Sequence, residues 1–212
     1  MGQQKGNPTP SVQNQAYTTL YGKKPRTTER SNMVNNVSVD IDQRPAQALL
    51  SYGSFYDTET QSASLSAGVY SMKLNRTDSA KGFVMENDTN GFPTRIKALQ
   101  TGVYNLQFSA QLANTANTNI DFAIWLAYTG SNVPNSTTQV SLTKQSGQFD
   151  RKVAAWNFIT PIQANDYVEL KWATNSTTGQ LLASGSNHGP LGGSGWIFPA
   201  IPSVIATITQ VG

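Results

Sequence analysis

The sequence predicts an all-β protein, an antiparallel sandwich or jelly roll, preceded by an extended N-terminal arm. Short segments alternate apolar and polar residues, turn signals such as Asn90-Gly91 and Thr101-Gly102 separate them, and no helical pattern reaches ten residues. The clearest strand spans 102–112. One face carries Tyr104, Leu106, Phe108, Ala110 and Leu112, and the other carries Asn105, Gln107, Ser109 and Gln111. This strand predicts a sheet with one apolar face and one uncharged polar face.

The same reasoning places further strands along the chain. They are predicted at 52–56, 69–74, 83–85, 94–99, 120–128, 137–142, 152–159, 166–172 and 203–211. The segment 120–128 differs from the rest because its second face, with Ala123, Trp125 and Ala127, is also largely apolar. We expect one of its two faces to meet a second layer or another subunit.

The composition favours a β-protein with neutral polar surfaces. Charged residues make up only 13% of the 212 residues, about half the usual share, while the aromatic residues can supply a core. An all-β chain of this length often forms a single domain. The absence of cysteine excludes disulfides, thiol nucleophiles and cysteine-based zinc sites.

Residues 1–50 are predicted to form a basic arm, and residues 51–212 the domain. Residues 1–30 carry a net charge of +4 and the rest of the chain −1, so the basic character belongs to the arm. Its anchoring residues are predicted to be the apolar Tyr17, Leu20 and Tyr21 and the basic Lys23, Lys24, Arg26 and Arg30. The partner could be an acidic protein surface, nucleic acid or a membrane surface, and a solvated tail without a partner remains an alternative.

No catalytic residue is predicted. His188, the one histidine, lies in a glycine-rich loop without a G-x-S-x-G elbow. Asp40/Asp42 and Asp57/Glu59 are the close carboxylate pairs that a hydrolytic mechanism could use, but the sequence places Asp57/Glu59 in an exposed turn. No cofactor or metal is expected, and calcium binding lacks an EF-hand spacing.

The glycine-rich loop carries an apolar tip with Trp196 and Phe198. This tip is predicted to contact a neighbouring molecule or a host glycan, or else to fold back over the end of the sandwich. The glycines before it do not form a P-loop, because the G-x-x-x-x-G-K-[ST] pattern is missing.

Five segments resemble a known family. Residues 52–56 and 102–111 are similar to the first half of the C1q/TNF-like jelly roll of bacteriophage virion proteins, and 154–158, 164–170 and 199–210 to its second half. The resemblance covers residues 51–212. It implies a ten-stranded jelly roll, a compact homotrimer and a non-enzymatic role on a virion surface.

The resemblance also implies which residues meet at the three-fold axis. Family trimers pack aromatic and aliphatic side chains there, and the predicted interface residues are Tyr104, Phe108, Phe122, Ile124 and Trp125. The strand 102–112 is expected to turn Tyr104, Leu106 and Phe108 toward the core. Its uncharged polar face is expected near a subunit or particle contact, because neutral groups cost less to desolvate than charges.

These observations together predict a structural protein of a phage virion, for capsid decoration or as a short fibre. The trimeric domain would be anchored by its arm to a capsid or tail protein, since a virion-surface protein faces outward, away from nucleic acid. No membrane insertion is expected. The alternative is a receptor-binding tail-fibre head that recognises a host-surface glycan. A depolymerase is disfavoured because a credible acid pair is missing.

Overall fold

The computed structural model describes residues 50–143, 150–185 and 199–212 as an all-β domain. Two antiparallel sheets contain every strand of these residues. The strands are β1 (Tyr52–Asp57), β2 (Gln61–Ser62), β3 (Val69–Ser71), β4 (Arg76–Lys81), β5 (Phe83–Asn87), β6 (Pro93–Ala98), β7 (Gly102–Asn114), β8 (Ile120–Tyr128), β9 (Ser131–Asn132), β10 (Thr138–Leu142), β11 (Asp150–Ile162), β12 (Tyr167–Thr174), β13 (Gly179–Leu181) and β14 (Val204–Gln210). The predicted arm, apart from Leu50, lies outside the described residues.

β7 is the central strand of the first sheet. On one side it pairs with β11 along its whole length. On the other side it pairs with β14 through Tyr104–Ala110 and with β13 through its last residues. β14 then pairs with β1, and β1 pairs with β4, which forms the far edge. β2 extends the sheet beyond β13.

The second sheet is built around β12. It runs in the order β10, β8, β12, β6, β5. β6 pairs with the start of β12 at Tyr167–Val168, and β3 pairs with a later part of the same edge at Lys171–Ala173. β8 pairs with β12 on one edge, and on its opposite edge it pairs with β10 and with the short β9. Two different strands therefore share one edge of β12.

The pairing pattern is that of a jelly roll. β1 pairs with β14 in the first sheet, β6 with β12 in the second, β7 with β11 in the first and β8 with β10 in the second. The outermost strands of the chain thus pair with each other and enclose the inner pairs, with successive pairs alternating between sheets. The predicted all-β jelly-roll sandwich is confirmed.

The core follows the period-two pattern of the sequence. Along β7, Tyr104, Leu106, Phe108, Ala110 and Leu112 are buried, while Asn105, Gln107, Ser109 and Gln111 keep exposed surface; only at the end of the strand are consecutive residues, Leu112 to Asn114, buried. Trp172 of β12, only 1% exposed, packs on Phe122 of β8 with ring centroids 6.0 Å apart. Buried aromatic side chains of this size dominate core energetics.

β4 was not predicted from the sequence. All six of its side chains are exposed, so its sequence carries no apolar alternation for a pattern search to detect. The strand exists because β1 offers an open edge to which its backbone can hydrogen-bond. The predicted strand 69–74 is also shorter, with β3 ending at Ser71, although Met72 and Leu74 are buried as an inward face requires.

Asp57, at the end of β1, is a buried carboxylate that makes two local hydrogen bonds. Asp57 is 1% exposed. Its Oδ2 accepts from Gln61 Nε2 at 2.7 Å, and its Oδ1 accepts from the backbone N–H of Glu59 at 3.0 Å. Burial raises the pKa of Asp57 above its usual value, because a charged carboxylate is desolvated there.

Replacing Leu126 with alanine should show how much core packing contributes to the free energy of unfolding. Leu126 is 1% exposed, and Leu126→Ala should lower the free energy of unfolding by about 2–5 kcal/mol. The matched control is Leu99→Ala, because Leu99 is 48% exposed; its effect should stay within about 0.5 kcal/mol. Urea unfolding followed by tryptophan fluorescence measures both. Equal effects of the two substitutions would contradict the described core.

The raised pKa of Asp57 predicts a stability term that depends on pH. Because the folded chain holds this proton more tightly than the unfolded chain, the term is present below the unfolded pKa and is lost as pH rises through the folded pKa. Between about pH 4 and about pH 7, the stability of the wild type should therefore fall relative to that of Asp57→Asn. Paired urea titrations measure this difference, and any constant effect of the asparagine cancels. A relative rise with pH would contradict it.

Candidate functional site

The outward face of the first sheet carries a continuous uncharged surface. Strand register aligns its side chains in three rows across β1, β14, β7 and β11. The rows are Tyr56, Ile205, Ser109 and Ala155; Ser54, Thr207, Gln107 and Asn157; and Tyr52, Thr209, Asn105 and Ile159. We call these twelve residues the uncharged face. Amides, hydroxyls and apolar groups mix on it, and Asn157 Nδ2 donates to Asn105 Oδ1 at 3.2 Å.

Large apolar side chains are exposed on this face. Ile159 is 68% exposed, Tyr52 44% and Ile205 39%. In the described strands of this sheet, the charged side chains next to this face lie beyond its border, on β4 and at the start of β11 with Arg151 and Lys152. Such a surface is inexpensive to remove from water, since no charge must be desolvated and exposed apolar area gains from burial.

The outward side of the second sheet is different. It carries charges of both signs, among them Arg95, Lys97, Asp121 and Lys171. Lys97 Nζ, for example, lies 2.8 Å from Glu86 Oε1 in a partly buried ion pair. Of the two outward faces, that of the first sheet is therefore better suited to a protein contact with neutral chemistry.

β11 forms an open edge beside the uncharged face. Within the described residues it pairs with β7 alone, so one side of this thirteen-residue strand has no ladder partner there. Trp156 and Phe158 sit half-buried along it, and the Trp156 ring packs edge-on against Phe108 with a centroid distance of 4.5 Å. A long edge with aromatic side chains favours association unless another surface covers it.

The structure places four of the five predicted interface residues inside the domain. Tyr104, Phe122 and Ile124 have no exposed surface, and Phe108 has 4%. Strand alternation turns them between the sheets, so in the single chain they offer nothing to a second copy. Trp125 alone points outward, from the second sheet, with its Nε1 donating to Asn132 Oδ1 at 2.7 Å.

The residues that sequence reasoning missed lie on β11 and β14. Ile159 and Ile205 are exposed apolar residues in outward positions, between neighbours that carry no charge. The signal was present in the sequence, because the outward positions of the predicted strands at 152–159 and 203–211 carry no charged residue. It became readable only once the register placed those positions beside Asn105, Gln107 and Ser109 of β7.

Several predicted sites lie outside the described residues. These are the arm residues Tyr17, Leu20, Tyr21, Lys23, Lys24, Arg26 and Arg30, and the loop residues His188, Trp196 and Phe198. The carboxylate pair Asp57/Glu59 lies within the described residues, and its two carboxyl groups have different surroundings. Asp57 is buried and accepts the backbone N–H of Glu59, while Glu59 itself is exposed.

The described residues contain no group of three or more histidine, cysteine or carboxylate side chains able to hold a metal ion. The same part of the chain contains no helix with the length and hydropathy needed to cross a membrane.

Comparison with known proteins gives distant structural similarity. No protein-family model matches the chain, and no curated protein sequence matches it. Among solved structures, the chain is similar to Eiger TNF from S. frugiperda, with 8% sequence identity and a TM-score of 0.45 over 77% of this chain and 93% of that chain. It is also similar to murine APRIL at pH 8.5, with 10% identity and a TM-score of 0.44 over 76% and 99%. The jelly-roll assignment rests on the strand pairing of this chain itself.

Proposed function

We propose that the chain is a non-enzymatic structural protein of a bacteriophage particle, a homotrimer held to the particle by its N-terminal arm. Its role would be capsid decoration or that of a short fibre. The observation that carries the trimer is the uncharged face, which exposes Ile159, Tyr52 and Ile205 without any charge among its twelve residues. The phage setting draws on the sequence resemblance of residues 51–212.

Two different surfaces of one chain support a ring. The uncharged face and the open edge of β11 lie on the same sheet but are not the same patch. A two-fold dimer that pairs the uncharged face with itself leaves the aromatic edge at Trp156 and Phe158 uncovered. A head-to-tail arrangement, with the edge of one copy on the face of the next, covers both surfaces in every copy when its rotation closes the ring into a cyclic oligomer. The proposed number of copies, three, is the one that the resemblance implies.

The arm supplies the attachment in this proposal. Residues 1–30 carry a net charge of +4, which suits an acidic patch on a capsid or tail protein. Three arms on one trimer make the release of any single arm reversible, because the other two keep it at high local concentration. A weak contact per arm is then sufficient for stable attachment.

A charge placed in the middle of the uncharged face should break the trimer. Gln107 is exposed in the single chain and central in its row. In the head-to-tail trimer, Gln107→Lys buries one ammonium group in each of the three contacts, at a cost of about several kcal/mol per contact. Sedimentation velocity should therefore find single copies at concentrations where the wild type is trimeric.

The control for this test is Gln139→Lys. Gln139 is exposed on β10 in the second sheet, outside the uncharged face, and the substitution is chemically identical. It should leave the trimer intact. A trimeric Gln107→Lys variant, or loss of the trimer in both variants, would contradict an interface on the uncharged face.

Deletion of residues 1–32 should separate assembly from attachment. The truncated chain should remain a trimer but fail to bind particles that lack this protein, as measured by co-sedimentation. A full-length variant with Lys23, Lys24, Arg26 and Arg30 all changed to glutamine tests whether charge is the cause, and it should also bind weakly. Undiminished binding of the truncated chain would rule out anchoring by the arm.

A further inference from the structure

A polar cleft of about 530 Å³ lies on the second sheet, at a place where the sheet divides. β6 pairs with β12 at Tyr167–Val168, whereas β3 pairs with it at Lys171–Ala173. Glu169 lies between these two pairings, where β3 and β6 separate. The cleft opens there, on a different sheet from the proposed subunit contact. Its volume is in the range of pockets that hold small ligands.

Glu169 lies at the bottom of the cleft, and neighbouring side chains satisfy the hydrogen-bonding groups of its carboxylate. It is 3% exposed, and its Oε1 accepts from Thr94 Oγ1 at 2.9 Å and from Ser71 Oγ at 3.3 Å. Its Oε2 lies 3.1 Å from Lys171 Nζ, which also donates to Ser71 Oγ at 2.6 Å. The charge of Lys171 is therefore compensated inside the protein.

Two other cations of the cleft keep unused hydrogen-bonding capacity. The guanidinium of Arg95 donates no hydrogen bond to the described residues; its buried Nε has no hydrogen-bond partner there and lies 4.0 Å from Glu169 Oε1, at the limit of an ion pair. Its guanidinium stands over the Tyr167 ring at 4.5 Å. Lys73 Nζ stands over the Phe92 ring at 4.1 Å and makes no hydrogen bond or ion pair within the described residues. A buried donor without a partner calls for an acceptor from outside.

The Lys73 side of the cleft is held in place by its surroundings. Gln61, which is 5% exposed, bonds the backbone of Lys73 on both sides: its Oε1 accepts from Lys73 N at 2.9 Å and its Nε2 donates to Lys73 O at 3.0 Å. Asp88 Oδ1 accepts from the N–H of Asn90 at 2.8 Å and of Phe92 at 3.0 Å, which fixes the turn that presents the Phe92 ring. A site organised before binding loses less entropy when it binds.

We propose that this cleft binds a saccharide that carries a carboxylate. The fork of Arg95 matches a carboxylate in geometry, and Lys73 adds a second positive charge. Hydroxyl and amide groups on the rim, including Ser62, Thr89 and Asn90, suit a polyhydroxylated ligand rather than an apolar one. Counting Lys171, Asp88 and Glu169, the lining has a net charge of +1, which favours a monoanion. This inference is independent of the proposed virion role.

The test measures binding of sodium glucuronate and of N-acetylneuraminate to the full-length chain by isothermal titration calorimetry. At least one acid should bind saturably, with glucose and sodium sulfate both weaker, because the site needs the anion and the sugar together. Arg95→Gln should weaken binding about tenfold or more, as expected for the loss of a charge-assisted hydrogen bond. Lys73→Gln, a second variant at the same cleft, should weaken it as well.

The matched control is Lys97→Gln. Lys97 lies two residues from Arg95 on β6 but pairs with Glu86, and its loss changes the net charge equally. It should leave the affinity unchanged. No binding of either acid, sulfate binding as tightly as the acids, or an equal loss in Lys97→Gln would overturn the proposal. Sedimentation of the same samples reports the trimer separately, so failure of the saccharide site and failure of the proposed assembly can be told apart.

Discussion

The structure depends on the two faces of one strand, β7. Strand geometry sends its alternate side chains to opposite sides. One side therefore places Tyr104, Leu106 and Phe108 in the core, and the other presents Asn105, Gln107 and Ser109 to the outside. Because β11, β14 and β13 all pair with β7 in fixed register, a shift of β7 by one residue would turn its core side chains to the surface and its polar side chains into the core.

The absence of charge on the outer side of β7 and its partners has an energetic consequence. Exposed apolar residues such as Ile159 and Ile205 gain from burial, and amides or hydroxyls can form hydrogen bonds across a contact or through water. A charge in the same place would add a desolvation cost of several kcal/mol, by an order-of-magnitude estimate. The second sheet has charges of both signs on its outer face, and its unused cations lie in the cleft beside β12. Assembly and ligand binding can therefore occupy opposite sides of the sandwich.

Much of the fold could be predicted because apolar alternation was strong where it mattered. The predicted strand at 120–128 has the same bounds as β8. The strand predicted at 102–112 corresponds to β7, which continues for two more residues, to Asn114. β4 was missed because its side chains are all exposed, so its formation depends on the open edge of β1 and not on its own pattern.

The site was harder to predict than the fold. Phe122 and Ile124 were expected at a subunit contact, but periodicity cannot say which of two apolar faces turns toward the second sheet, and these two are buried in the single chain. The cleft could not be predicted at all. It arises because β3 and β6 share one edge of β12, which brings Lys73, Arg95 and Glu169 together from three separate strands and connections.

The accessibility of a single thiol on the uncharged face tests the central claim most directly. The chain has no cysteine, so Gln107→Cys and Gln139→Cys each introduce one thiol, and both positions are exposed in the single chain. If other copies cover the uncharged face, a thiol reagent should modify the native Gln139→Cys variant at once and the native Gln107→Cys variant only after unfolding. Equally fast modification of both variants under native conditions would contradict the account.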